Sequence, residues 1–157
     1  MKFFFVAPML LATAFLQGGG GRGGGRGAPA MGSTSEATSI SPDKVAGCAK
    51  ASTLFTGPEY SVICYNRSTA GGSEAHATHA HIWYIVEGEA TVITGGTIVD
   101  MKMDSPGEPR GSGIQGGQTH HLAKGSVIVI PAGVPHQYKE VMKPVAYYSV
   151  NVEKPKR

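Results

Sequence analysis

From Lys44 onward the chain alternates short apolar runs with glycine, proline or asparagine. The runs fall at 60–65, 82–86, 90–94, 97–101, 126–130, 137–141 and 146–152, and each has the length and residue types of a β-strand. Glu87-Gly88-Glu89 and Gly95-Gly96 punctuate successive runs as turns. Residues 127–130 are apolar at successive positions, which predicts a strand covered on both faces. The stretch 45–51 has room for one or two helical turns, and no longer segment shows a 3.6-residue period. Residues 104–117 form a glycine- and proline-rich excursion with the composition of a functional loop or lid. Many short strands at close spacing, with no fixed repeat, predict an all-β sandwich or barrel of one domain.

The first thirty residues differ in kind. Lys2 precedes a nearly unbroken apolar run, residues 3–16, too short to cross a bilayer as a helix but suited to the core of a signal peptide. Small residues at Ala12/Ala14 and Ala28/Ala30 offer two cleavage points. Glycines punctuated by Arg22 and Arg26 follow, with no side chains to bury. The expected organisation is a leader over 1–30, a flexible linker over 31–43 and a folded domain over 44–157. The expected location is outside the cytoplasm, periplasmic or secreted, with no stable membrane anchor. Export would permit Cys48 and Cys64, the two cysteines, to pair. Such a bridge would be worth roughly 3 kcal/mol, and two separate buried thiols are the alternative.

The net charge of +3 comes from the leader, because Lys2, Arg22 and Arg26 all lie there. The domain itself is balanced, with no basic stripe for nucleic acid or an anionic membrane. A small-molecule substrate or ligand is the expected partner.

Candidate chemistry lies in the histidines. Of the six, His76, His79 and His81 cluster just before one predicted strand, and His136 follows another through a Pro131–Gly133 turn. Neutral imidazole is a common ligand for transition metals, and two strand-borne segments could bring such rings together. His120 and His121 read as the polar start of a strand. Tyr138, Tyr147 and Tyr148 could line a pocket or serve as sheet aromatics. Arg67 and Arg110 could each grip a carboxylate with a bidentate fork, and the excursion around Pro106 makes Arg110 the stronger lid candidate.

The segment Gly125, Pro131, Gly133, His136 resembles the second half-motif of the cupin superfamily, with Ser126 where the family often has Asp and Glu140 where it often has Asn. The resemblance extends over residues 60–152 and is to a small single-domain cupin. It implies a jelly-roll β-barrel, the double-stranded β-helix. It also implies metal ligands, and the first half-motif admits two registers. Anchored on the Glu87-Gly88 turn, the family's ligand positions fall on Glu74, His76 and His81, which join His136; the alternative places His79 and His81 with His136. The first register makes Glu74 a ligand or, if free of the metal, a catalytic base. Three imidazoles and a carboxylate suit a divalent transition metal: Fe, Mn, Ni, Zn or Cu. If His81 faces inward, strand parity sends Trp83 and Ile85 inward beside it.

The resemblance therefore implies a metal-binding exported cupin, acting on an organic small molecule with dioxygenase or lyase/isomerase chemistry. Cupins host many chemistries, so a non-catalytic module that binds a small molecule or a metal stands beside it. The family also forms homodimers, which the resemblance extends to this chain as an expectation.

Overall fold

The structure is a computed structural model that describes residues 37–46 and 51–155. The leader expected over 1–30, the first part of the linker and Cys48 lie outside the described residues. In chain order the elements are α1 (Pro42–Ala46), β1 (Ser52–Thr56), β2 (Tyr60–Arg67), β3 (Ser73–Glu74), β4 (His79–Thr94), β5 (Thr97–Val99), β6 (Lys102–Ser105), β7 (Glu108–Gly111), β8 (Gly113–Gln115), β9 (Gln118–Ala123), β10 (Val127–Ile130) and β11 (His136–Glu153). No described helix is long and apolar enough to cross a membrane.

Two long strands organise the fold. The first half of β4 lies between β10 and the end of β11, with Trp83 opposite Ile128 and Ser149. Its second half lies between β9 and the start of β11, with Val92 opposite His120 and Tyr138. β2 extends the sheet beyond β11, and β1 pairs with β2. Every pairing is antiparallel. Because β4 and β11 run through both halves of the sheet, their bends wrap it around one core.

The bend in β4 is visible in its parity. His81, Trp83 and Ile85 are buried while Ile82 and Tyr84 are exposed; past Gly88 the buried series moves to Ala90 and Val92. Gly88 absorbs this one-residue offset at φ 89°. A side chain there would strike the opposite strand, since its Cβ would lie 2.0 Å from the Pro144 carbonyl oxygen. β11 slips in the same region, with register shifts between Tyr138 and Tyr147. The expected turn at Glu87-Gly88-Glu89 is therefore a bend inside one strand. The runs expected at 137–141 and 146–152 likewise belong to a single strand.

Two further expectations are corrected. Residues 104–117 are not a free excursion: they contain the second half of β6 and all of β7 and β8, tied to β3 and β5. The strand at 126–130 is covered on one face only, with Ile128 and Ile130 buried but Val127 and Val129 60% and 61% exposed.

The core inside the bent sheet contains Trp83, Ile85, Val92, Leu122, Ile130, Tyr138, Val145 and Tyr147. The Trp83 and Tyr138 rings stack at 5.2 Å, and Tyr147 packs against Trp83 at 5.3 Å. Burial of these apolar surfaces is the main drive for closing the sheet, at roughly 25 cal/mol per Å². Cys64 is buried and disulfide-bonded.

Candidate metal centre

Backbone register brings distant side chains to one end of this core. His81 sits on β4 opposite Ile130 of β10 and Asn151 of β11. His136 opens β11, opposite Glu74 of β3. Glu74 in turn faces Arg110 of β7. His76 lies between β3 and β4, where its carbonyl accepts a 2.6 Å hydrogen bond from Gly133 N–H in the turn before His136. The neighbouring amides of Ala75 and Ala77 donate to the carbonyls of Pro109 and Gly107. The non-repetitive segment carrying His76 is thus held on two sides by main-chain bonds.

One coordinating atom from each of His76, His81 and His136 lies within 4.8 Å of the other two, and all three residues are buried. Each ring has its Nδ1 beside an oxygen. His76 Nδ1 is 2.5 Å from Glu108 Oε2, His81 Nδ1 is 2.8 Å from Asn151 Oδ1, and His136 Nδ1 is 3.1 Å from the Val134 carbonyl. Asn151 Oδ1 also accepts from the Ser149 hydroxyl at 2.6 Å. Carbonyl and carboxylate oxygens can only accept, so Nδ1 of His81 and His136 carries the proton in each neutral ring, and Glu108 imposes the same on His76. Nε2 of His81 and of His136 is left with a bare lone pair.

Those lone pairs have no proton to meet. Nε2 of His81 and of His136 is buried without a hydrogen-bond partner. Glu74 Oε1 stands 3.4 Å from His136 Nε2 and 3.9 Å from His76 Nε2. Protonating the rings is not the remedy: burial pushes His81 down to about 3 and His136 down to about 4. An unsatisfied buried polar atom costs about 1–3 kcal/mol. Two unpartnered lone pairs, a facing carboxylate oxygen and the neutral rings of His81 and His136 fit a cation bound among them.

Glu74, expected as ligand or base, lies at the edge of this group. Its Oε2 is ion-paired with Arg110, which also approaches Asp104 and Glu108 at 3.9 Å each. His79, the alternative ligand, is half-buried, stacks on the His76 ring at 4.5 Å, and forms a second group with His76 and Glu108. Burial, then the His76 charge, pushes the His79 pKa down. His120 and His121 stand apart on β9, hydrogen-bonded to Thr94 and Thr91. Trp83 lines the cavity beside the histidines, as parity predicts; Tyr147 lines it too. Arg110 is held in a strand among carboxylates rather than on a free lid.

The residues that orient the imidazoles were not anticipated from the sequence. Ser149 and Asn151 had a signal, because they continue the inward parity of Tyr147 as buried polar residues of a strand. Glu108 had none, since it reaches His76 only through the pairing of β7 with β3.

The cavity beside the cluster has a volume of about 340 Å³, at the small end of ligand sites. Its wall includes Tyr65, Arg67, Trp83 and Tyr147 as well as His76, His79 and His81. It combines an apolar side, two guanidinium groups and a nitrogen cluster, a set that can hold a small polar molecule against a metal ion.

Solved structures share this architecture. BH2720 from Bacillus halodurans is 18% identical with a TM-score of 0.52, over 73% of this chain and 79% of that one. A Klebsiella pneumoniae protein with a double-stranded beta-helix domain is 17% identical with a TM-score of 0.50, over 75% and 91%. Protein NMB1881 from Neisseria meningitidis is 12% identical with a TM-score of 0.50, over 75% and 100%. No protein-family model and no curated protein matches the sequence. The chain has the double-stranded β-helix of the cupin fold.

Proposed function

We propose that this chain is an exported metal-binding cupin that acts as a small metalloenzyme on an organic small molecule, with chemistry of the dioxygenase or lyase/isomerase type. The observation that carries the metal is the pair of buried, partnerless Nε2 atoms of His81 and His136. His76, His81 and His136 would hold it, with Glu74 in reach as a fourth ligand. Nitrogen-rich donors with a carboxylate suit Fe, Mn, Ni, Zn or Cu. Such an ion supplies Lewis acidity to bound oxygens, or a route for O₂.

The chain's own residues do the rest. Glu108, Asn151 and the Val134 carbonyl fix the ring orientations. Trp83 and Tyr147 keep one side of the cavity apolar and limit water there. Glu74 Oε1 points toward the cluster and can take a proton from a ligand held beside it. The disulfide at Cys64 and the leader's apolar run support export.

A second reading is a non-catalytic module that binds a metabolite or the metal itself. The Arg110–Glu74 ion pair supports it, because a carboxylate neutralised by guanidinium is a weak base. Elemental analysis of the purified protein tests the shared premise. About one metal per chain is expected, largely lost in both His136→Ala and His81→Ala. Metal content unchanged in both variants would rule out this centre. Metal-dependent consumption of phenolic, keto-acid or sugar substrates then separates enzyme from module.

A further inference from the structure

The cavity contains two arginines in different electrostatic situations. Arg110 is ion-paired with Glu74 and has Asp104 and Glu108 close by, so its charge is already answered. Arg67, at the end of β2, is half-buried in the same wall, and no described carboxylate pairs with it. Its guanidinium carbon lies 4.8 Å from the centre of the Tyr138 ring. It also opposes the effect of burial on the Tyr147 hydroxyl, whose pKa burial pushes up. The backbone makes room for it: a Cβ on Gly71 would fall 2.8 Å from Arg67 Nη1. A half-buried guanidinium held over an aromatic face, with its fork paired to no described carboxylate, is a receptor for an anion.

Charge balance points the same way. Glu74 and Glu108 offset Arg67 and Arg110 among the lining residues. A divalent ion among the histidines would leave the cavity with a surplus of positive charge. An anionic ligand restores neutrality, and Arg67 is the lining cation with no described carboxylate partner.

We propose that Arg67 is the carboxylate-binding end of this cavity, so that the molecule taken there is a small carboxylic acid with a second oxygen function directed at the histidine cluster. The inference rests on the reading of the cavity as the ligand site, and it narrows the ligand to acids.

Succinate and succinamate are suitable probes, equal in length and different in one terminal charge. Calorimetric titration of each into metal-loaded and chelator-treated protein reads the preference, and elemental analysis of the same samples reads the centre. Wild type is expected to favour succinate by about tenfold, the scale of one charge-assisted contact. Arg67→Gln is expected to erase that preference while keeping its metal, and Arg67→Lys to retain part of it. Gly71→Ala, which crowds the guanidinium without removing its charge, is expected to weaken it. A metal-loaded wild type with no preference, or an Arg67→Gln variant with the full preference, would overturn the proposal and leave the metal centre standing. If wild type binds no metal, the centre fails instead. The metal-free titrations then decide alone: an Arg67-dependent preference supports the carboxylate site, and its absence overturns it.

Discussion

Each imidazole of the cluster is governed by the oxygen at its far nitrogen. Glu108 does this for His76 with a carboxylate, and Asn151 does it for His81 with a neutral amide. Glu108→Ala is therefore expected to weaken metal affinity roughly 10–100-fold without unfolding the protein, because the ring loses the acceptor that orients it. A competition titration against a chromogenic chelator measures it, and an unchanged affinity would remove Glu108 from the site's design. The buried rings also set a pH dependence. Both histidines have an unfolded value of 6.5, which burial depresses to about 3 for His81 and about 4 for His136 in the folded chain. The Asn151 and Val134 hydrogen bonds oppose this shift, while His76, His79, Arg67 and Arg110 add to it. Between those values the unfolded chain binds more protons than the folded one. Stability is thus fully present above pH 6.5 and is lost as pH falls through the window toward 3. The metal-free protein should show a denaturant midpoint that declines steadily from pH 7 to 4, and His136→Asn should flatten part of that decline. A midpoint independent of pH over this range would mean that neither ring is buried as a neutral base.

At the level of elements, the bent strands β4 and β11 decide where everything else falls. Gly88 and Pro144 meet across the ladder at the bend, with the glycine backbone against the proline carbonyl. Gly88→Ala should destabilise the fold by more than about 1 kcal/mol, since it adds both a clash and an unfavourable φ. Urea denaturation with an unchanged slope is the measurement, and a neutral result would show that the strands can bend elsewhere. The same pair explains why local pattern predicts a turn at this point. Glycine and proline are strand terminators in local pattern, and only the long-range pairing shows two terminators meeting inside continuous strands. The β-class, the inward parity of His81, Trp83 and Ile85, and the turn before His136 were legible because they depend on neighbours in sequence. β1 and the hairpin of β6 and β7 were not: β1 is a short run defined by its pairing with β2, and the glycine- and proline-punctuated hairpin is held to the sheet by the pairing of β7 with β3. The site divides along the same line. The imidazoles announced themselves by residue type and spacing, whereas Glu108 and the commitment of Arg110 to Glu74 are products of β3–β7 register.

For the molecule as a whole, the cluster joins three separate parts of the chain. His76 belongs to a segment outside regular structure, His81 to β4 and His136 to β11. An ion bound by all three would cross-link them in the folded state and find no such site in the unfolded chain. Its binding free energy would then add to stability by mass action, about 2.7 kcal/mol at a free concentration 100-fold above the dissociation constant. For a domain of this size that corresponds to a rise in Tm of about 10 °C or more. Chelator treatment should therefore lower the Tm of wild type by that order, and adding back the metal found by elemental analysis should restore it. His136→Ala supplies the control, since it should melt near the metal-free wild type and respond little to chelator. A wild-type Tm indifferent to chelator, in a sample shown to contain metal before treatment, would place that metal outside the three histidines. A chelator response that persists in His136→Ala would do the same, and the lone pairs of His81 and His136 would then need another partner.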